Sequence, residues 1–252
     1  LLVDRLFDLE LRALAGLRLS QLPGLSDWNQ HQRDAADGQK SLLAGKPARG
    51  SARALVAAAI DAALEDTVMQ GNLQQHPPSV KLSERLISMA RKSGAGLDHC
   101  LLSTSGAMAN ENALKIALHH NAPADRIIAF DNAFAGRSLA MASLTDRAAY
   151  RSGLPLALQV DYLPVRDLNQ PERSQRWAVD ELHRLLKRHP GRYAAFWAEP
   201  IAGEGGYYEG STEFFEALCE PLREAGVTII FDEVQSFSRT SQPFAFQHFR
   251  LD

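Results

Sequence analysis

From Leu97 onward, short apolar segments alternate regularly with longer segments of helical periodicity. Runs rich in β-branched and aromatic residues predict strands at 100–104, 126–130, 158–163, 193–198 and 227–232. Helices are predicted at 107–120, 174–189 and 211–225, with Gly226 ending the last one. Because strands that alternate with crossover helices pair in parallel, we expect an α/β fold, a mostly parallel sheet flanked by helices on both faces.

Residues 1–70 have a different pattern and are expected to form an N-terminal helical and loop segment. The apolar spacing predicts a helix over 1–20, a polar glycine-containing loop over 26–50 and an alanine-rich helix over 52–66. A further helix is predicted from Pro77 through Arg91. With 252 residues and 45% hydrophobic content, the chain can bury a large core, and we expect 71–252 to form one large domain.

Charge and cysteine content narrow the function classes. A net charge of −3, with 27 Lys and Arg residues scattered along the chain, disfavours nucleic-acid binding. No apolar run has the length of a membrane span, and the charged residues among the first twenty are unlike a signal peptide. Cys100 and Cys219 fit no disulfide or metal spacing. We therefore expect a cytoplasmic protein without a membrane segment.

A possible anion site lies between the strand predicted at 100–104 and the helix that follows it. Ser105, Gly106 and Ala107 form the turn, so the free N–H groups of the helix point out of it at the positive end of the helix dipole. The glycine allows close approach of a phosphate, and the serine hydroxyl adds a donor. Taken by themselves, these residues favour an ordinary serine-capped helix, because such caps are common.

Carboxylates end two of the predicted strands. Asp232 is the last residue of the strand predicted at 227–232, and Glu199 begins a glycine-rich loop, 199–206, after the strand at 193–198. Ligands of parallel α/β sheets bind beyond the carboxyl ends of the strands, so these side chains are candidates for a site. The alternative for Asp232 is a solvent-facing loop.

Three other site types do not fit the residues. A dinucleotide fingerprint starting at Gly203 requires glycine at position 208, which is Tyr208, and Glu204 would repel a pyrophosphate. The histidines and cysteines have no zinc-ligand spacing, so no metal site is predicted. No Gly-x-Ser-x-Gly segment of a serine hydrolase occurs.

Three segments together resemble the class III aminotransferases, which use pyridoxal 5'-phosphate: Ser105 to Lys115, Glu199 to Gly206, and Asp232 to Gln235. The resemblance covers roughly residues 70–252. It implies the large domain of the fold type I pyridoxal-phosphate enzymes, with the C-terminal small-domain part absent from this chain. Met108 departs from the family, which often has glutamate there.

The resemblance also implies roles for individual residues in binding the cofactor. Asp232 is expected to hold a proton on the pyridine nitrogen, because only the protonated ring withdraws electrons well. Ser105, Gly106 and Ala107 are expected to bind the phosphate. The remaining cofactor contacts implied are ring stacking by Phe134, packing by Val234, a hydrogen bond from Gln235 to the phenolic oxygen, and support of the site by Glu199.

Substrate contacts follow from the same resemblance. Arg137 is a candidate for the substrate carboxylate, because the guanidinium fork matches carboxylate geometry. Glu204 is expected to neutralise an arginine or the distal amine of the substrate. We expect an ω-amino acid or diamine-type donor, such as 4-aminobutyrate, lysine or an ornithine derivative, a keto acid acceptor, and a homodimer. Ala135 stands where the family commonly has a larger residue, which leaves the substrate fit open.

The lysine that binds the cofactor covalently is expected to lie outside this chain. All six lysines precede Asp232, whereas the family's Schiff-base lysine follows the Asp-Glu-Val-Gln segment. We expect both termini to be truncated and the chain alone to be inactive, with no cofactor fixed to a lysine by borohydride. Two alternatives remain: another reaction on this scaffold, such as that of an aminomutase, racemase or decarboxylase, and a non-catalytic homologue acting as a binding module.

Overall fold

The computed structural model of the protein describes residues 77–93 and 95–251. The segment proposed for 1–70, with its two helices and loop, lies outside them. In chain order, the described elements are α1 (Pro77–Ala90), a 3₁₀ helix (Arg91–Ser93), α2 (Gly106–His120), β1 (Arg126–Phe130), α3 (Leu139–Leu144), α4 (Ala148–Arg151), β2 (Gln159–Leu163), α5 (Pro171–Arg188), β3 (Tyr193–Ala198), α6 (Thr212–Glu224), β4 (Thr228–Phe231) and α7 (Ala245–His248).

The four described strands form one parallel sheet in the order β2-β1-β3-β4. In the register, Ile127 of β1 lies opposite Val160 of β2 and Ala195 of β3. The chain runs from β1 to β2 on one side and then places β3 on the other side of β1. This reversal of strand order leaves a crevice beyond the carboxyl ends of β1 and β3, where ligands of such sheets bind.

Helices cover both faces of this sheet. All residues of β3 are buried, and its successive side chains point to opposite faces of the sheet. Trp197 donates a hydrogen bond to Asn110 of α2. The neighbouring Phe196 packs edge-on against Phe130, whose ring stacks on Phe214 of α6 with centroids 5.6 Å apart. The prediction of a parallel sheet flanked by helices on both faces is therefore confirmed.

Short-range signals set the ends of the main helices. The hydroxyl of Ser105 caps α2 by accepting from the N–H of Met108 at 3.2 Å, and Ser211 caps α6 in the same way. Gly226 follows α6 with a φ of 70°, a left-handed conformation that glycine adopts without strain. The helices predicted within the described residues, and the strands predicted from 126 onward, agree with the structure to within about three residues, an ordinary boundary error. The short helices α3, α4 and α7 were not predicted.

The strand predicted at 100–104 is wrong. These residues form no strand, and none of the four strands in the described part of the chain pairs with them. The side chain of Leu101 is 58% exposed, so this apolar run is not buried on the sheet. A strand requires a hydrogen-bonding neighbour and packing on its faces, and local composition does not provide either.

Within residues 77–93 and 95–251, no helix is both long and apolar enough to cross a membrane. In the same ranges, no group of three or more His, Cys, Asp or Glu side chains is placed to hold a metal ion. Cys100 is half-buried, Cys219 is buried, and both are free thiols.

Candidate active site

The loops after β1 and β3 meet in the crevice between these strands. The carboxylate of Glu199 accepts one hydrogen bond from the backbone N–H of Phe134 and another from that of Gly203, each at 3.1 Å. Glu199 is itself buried. One side chain therefore joins the loop after β1, in which residues 134–136 form the aromatic loop, to the glycine-rich loop after β3.

Two further buried side chains hold the aromatic loop, 134–136. The hydroxyl oxygen of Thr145 accepts from the N–H of Ala135 at 3.0 Å and donates to the carbonyl of Gly136 at 3.2 Å. The amide of Asn110 donates to the carbonyl of Ala135 at 2.9 Å. The backbone of this loop is thus set by hydrogen bonds from three separate parts of the fold.

The aromatic loop lies directly against the first turn of α2. Gly136 has a φ of 132°, and a Cβ added there would lie 2.7 Å from the Cβ of Ala107. Only glycine combines this conformation with so close an approach. The first N–H groups of a helix have no acceptor within the helix, so those of Gly106 and Ala107 are available to an anion next to this loop.

Asp232, directly after β4, contacts the first half of α2 through Asn110. Its side chain is 4% exposed, with Oδ2 accepting from the amide of Asn110 at 2.8 Å and Oδ1 from the N–H of Val234 at 2.9 Å. Asn110 lies about 6 Å along the helix axis from Gly106. The buried carboxylate and the helix N-terminus therefore belong to one site.

Burial dominates the electrostatics of both site carboxyls. It raises the pKa of Asp232 to about 6, against the opposing effect of the hydrogen bonds from Asn110 and Val234. It also raises the pKa of Glu199 to about 7; the hydrogen bond from Gly203 lowers this pKa and the negative charge of Asp232 raises it. The site therefore holds two carboxyls that ionise near neutral pH.

The two residues predicted to contact the substrate lie at the exposed side of the site. The guanidinium of Arg137 lies over the rings of Phe134 and Tyr150, 5.7 and 5.2 Å from their centroids. The side chain of Glu204 is exposed, and its backbone carbonyl accepts a hydrogen bond from Arg147. Among the described residues, no ion pair includes Arg137 or Glu204.

Val234 and Gln235 follow Asp232 into the loop after β4. Both are half-buried, and the backbone N–H of Val234 supports Asp232. The side chain of Gln235 packs on Gly203, and a Cβ added to Gly203 would lie 2.5 Å from the Cγ of Gln235. The amide oxygen of Gln235 accepts a hydrogen bond from Arg239. Gln235 is thus already engaged at the edge of the site.

A small pocket lies beside this site. Its lining includes Phe130, Trp197, Glu199 and Phe214, but neither Asp232 nor Ser105. The pocket is lined by a mixture of aromatic, small and charged residues, whereas the Asp232 carboxylate and the N-terminus of α2 lie outside its lining. We therefore assign the candidate site from the hydrogen-bonded groups and not from the shape of the pocket.

Sequence reasoning missed three residues that shape the site: Asn110, Thr145 and Tyr150. A signal for Asn110 was present, because it shares the inward face of α2 with Leu114 and Ala117, where a polar side chain needs a partner. Thr145 and Tyr150 carry no such signal, since their partners in the aromatic loop become neighbours only on folding.

A buried carboxylate and a helix N-terminus at the switch point of a parallel sheet define a cofactor-binding α/β domain. Residues 47–252 match the family model for class III aminotransferases. The chain therefore belongs to the class III aminotransferases, whose cofactor is pyridoxal 5'-phosphate, and its fold is that of the large domain of fold type I enzymes.

Individual relatives agree with this family. The chain is 30% identical to the acetylornithine aminotransferase of Methanocaldococcus jannaschii, over 86% of this chain and 52% of that protein. It is 36% identical to the 2-aminoadipate transaminase of Pseudomonas putida, over 72% of this chain and 44% of that protein. An (S)-enantioselective omega-transaminase from Thermomicrobium roseum superposes with a TM-score of 0.70 at 26% identity, covering 78% of this chain and 47% of that one. The chain spans about half the length of the curated relatives it matches.

The observed residues fit this cofactor. The helix N-terminus is free of a side-chain carboxylate in its first turn, as a phosphate requires, and Gly136 keeps the space beside it clear of a side chain. Asp232 provides a buried acceptor with both oxygens already oriented, which suits a heterocyclic N–H. The two groups are held together by Asn110.

Proposed function

We propose that this chain forms the cofactor-binding part of an aminotransferase that moves an amino group from an ω-amino acid or diamine-type donor to a keto acid. The observation that carries the proposal is the hydrogen bond from α2 to the buried Asp232, which joins an anion site and a proton-holding carboxylate. Bound pyridoxal phosphate supplies an electron sink for the carbon that bears the amino group.

The residues of the chain bind and tune that cofactor. The N–H groups of Gly106 and Ala107, with the Ser105 hydroxyl, bind the phosphate. Asp232 keeps a proton on the pyridine nitrogen, Phe134 and Val234 pack on the ring, and Gln235 donates to the phenolic oxygen. Glu199 fixes the backbone of Phe134 and so the point from which its ring extends.

The experiment is to measure pyridoxal phosphate binding by this chain and amino transfer by the intact protein. We expect dissociable binding by the chain, and formation of a new amino acid from a keto acid acceptor in the transfer assay. Binding without transfer across a donor panel would favour the binding-module alternative. Loss of carbon dioxide, racemisation or migration of the amino group, without transfer, would favour another reaction on this scaffold.

For the donor, we propose that Arg137 binds a carboxylate and Glu204 a distal amine or an arginine. Arg137 supports this because its exposed guanidinium, held over two rings, has no acidic partner in the described part of the chain. Arg137→Lys is expected to raise KM about tenfold for a carboxylate-bearing donor, because lysine loses the bidentate contact. An amine donor that lacks a carboxylate serves as the control and should keep its KM.

We further propose a homodimer in the cytoplasm with small molecules as its partners and with no nucleic-acid or membrane partner. The net charge of −3 and the free thiols Cys100 and Cys219 support this proposal, since the first disfavours polyanions and the second suits a reducing compartment. Light scattering of the purified intact protein tests the dimer, and a mass of one subunit would contradict it.

A further inference from the structure

Asn110 is the most completely engaged polar side chain of the site. It is 1% exposed in the middle of α2. Its amide nitrogen donates to the carbonyl of Ala135 at 2.9 Å and to Oδ2 of Asp232 at 2.8 Å. Its amide oxygen accepts from the indole N–H of Trp197 at 2.8 Å. No donor of this side chain is left for another partner.

The chemistry of these partners fixes which way the amide points. An indole N–H is only a donor, and a backbone carbonyl is only an acceptor. The oxygen of Asn110 must therefore face Trp197, and its nitrogen must face Ala135 and Asp232. A rotated amide would break all three bonds, so Asp232 always receives an N–H and never faces an oxygen.

This donor matters because two other carboxylates near Asp232 oppose its ionisation. Glu233 is its neighbour in sequence, and Glu199 lies close enough for the two charges to interact. In the described part of the chain, no ion pair supplies a cation to Asp232. Within the described residues, N–H donors from Asn110 and from the backbone of Val234 stabilise its negative form.

We propose that Asn110 is a positioning residue that keeps the Asp232 carboxylate ionised and oriented for the pyridine nitrogen, while tying it to the helix that binds the phosphate. The inference rests on the proposed function. It also explains why one side chain contacts the end of β4, the aromatic loop and the central strand β3: it sets the relative positions of the ring partners.

The test uses pyridoxal phosphate labelled with ¹⁵N in the pyridine ring, bound to this chain. The ¹⁵N chemical shift at neutral pH reports whether the ring nitrogen is protonated, and equilibrium dialysis gives the Kd. We expect a protonated ring in the wild type and an unprotonated ring with Asp232→Asn. Asn110→Ala should weaken binding about tenfold or more, as expected for losing a hydrogen bond to a charged group, and should lower the protonated fraction.

A matched control comes from the same helix. The amide of Asn112 donates to the hydroxyl of Ser103, away from Asp232. Asn112→Ala should therefore keep both the wild-type Kd and the protonated signature. If Asn110→Ala does not fold, Asn110→Ser, which keeps a small polar group but loses the second N–H, takes its place and should show the same changes to a smaller degree.

Asn110→Ala or Asn110→Ser in the Asp232→Asn background separates positioning from general support. If Asn110 acts chiefly through Asp232, its replacement should change the Kd much less in the Asp232→Asn background than in the wild type, because only its contact with the aromatic loop is then lost. An equal loss of affinity in both backgrounds, or a protonated ring retained by the single variant, would overturn the inference and leave the proposed function standing. A wild-type chain that fails to bind the cofactor, or a ring signature indifferent to Asp232→Asn, would overturn the proposed function itself.

Discussion

At the scale of single residues, the two adjacent carboxylates after β4 have different tasks. Asp232 points to Asn110 and the candidate site. Glu233, 2% exposed, accepts from the backbone N–H groups of Ala245 and Phe246, both at 2.9 Å, and so caps the short helix α7. Neighbours in sequence thus serve function and structure separately.

This division predicts opposite effects for two similar substitutions. Glu233→Gln should lower the free energy of unfolding by about 1–3 kcal/mol, because a buried N–H loses its acceptor, and should change cofactor affinity far less than Asp232→Asn. Asp232→Asn should weaken cofactor binding about tenfold or more with a smaller change in stability, because losing one acceptor is offset by removing a buried charge. Urea denaturation and equilibrium dialysis measure the two quantities, and a common effect of both variants would contradict the assignment.

Contacts between individual residues were the features least predictable from the sequence. Asp232 was identifiable because it belongs to a local motif at the end of a predicted strand. Its partner Asn110 lies 122 positions away, and no local pattern relates the two. A hydrogen bond of that span is decided by the packing of α2 on β3 and not by either residue's neighbours in sequence.

At the scale of elements, α2 combines a common serine cap with an uncommon neighbour. Its cap is the same as that of α6, since Ser105 and Ser211 each accept from an N–H at 3.2 Å. Only α2, however, has the aromatic loop packed against its first turn through Gly136. The local sequence set the cap, whereas the neighbouring loop distinguishes a binding site from an ordinary helix start.

The two caps offer a matched pair of substitutions. Ser105→Ala and Ser211→Ala should each lower the free energy of unfolding by about 1 kcal/mol, the usual effect of losing such a cap. Only Ser105→Ala should also weaken pyridoxal phosphate binding, by about tenfold, because its hydroxyl is proposed to bind the phosphate. Thermal or urea denaturation with dialysis tests this, and equal affinities for the two variants would count against the phosphate site.

The close approach of the aromatic loop gives a second prediction at this scale. Gly136→Ala should destabilise the protein by about 1–3 kcal/mol more than Gly153→Ala, because an added Cβ meets Ala107 at 2.7 Å in the first case and nothing within 4 Å in the second. Both glycines have positive φ, so backbone strain is present in each. Comparable losses in urea denaturation would show that the contact is readily relieved.

At the scale of the whole molecule, folding buries ionisable groups that the unfolded chain leaves in water. The pKa of Glu199 rises from an ordinary 4.5 to about 7, and that of Asp232 from 3.8 to about 6, chiefly through burial. The folded state therefore holds protons that the unfolded state releases. This contribution to stability is fully present below the unfolded pKa values and is lost as pH rises through the folded ones.

Glu199→Gln isolates the larger of these two contributions. The free energy of unfolding of the wild type, relative to the variant, should fall by at most about 3 kcal/mol between pH 4.5 and about 7. The test depends on how the difference in free energy of unfolding changes with pH. A constant difference at all pH values is expected in addition, because glutamine leaves one backbone N–H without an acceptor. Urea denaturation at several pH values gives the two curves. Parallel curves would contradict the prediction.

The sequence by itself determined the four strands from 126 onward with the long helices α5 and α6 between them, the capped start of α2 and the acidic ends of two strands. These features depend on neighbouring residues: periodicity, caps and turn formers act within a few positions. Tertiary structure alone decided that 100–104 is no strand and that β3 returns beside β1. It also decided that Asn110, Glu199 and Asp232 meet, because hydrogen bonds between distant segments exist only after those segments pack together.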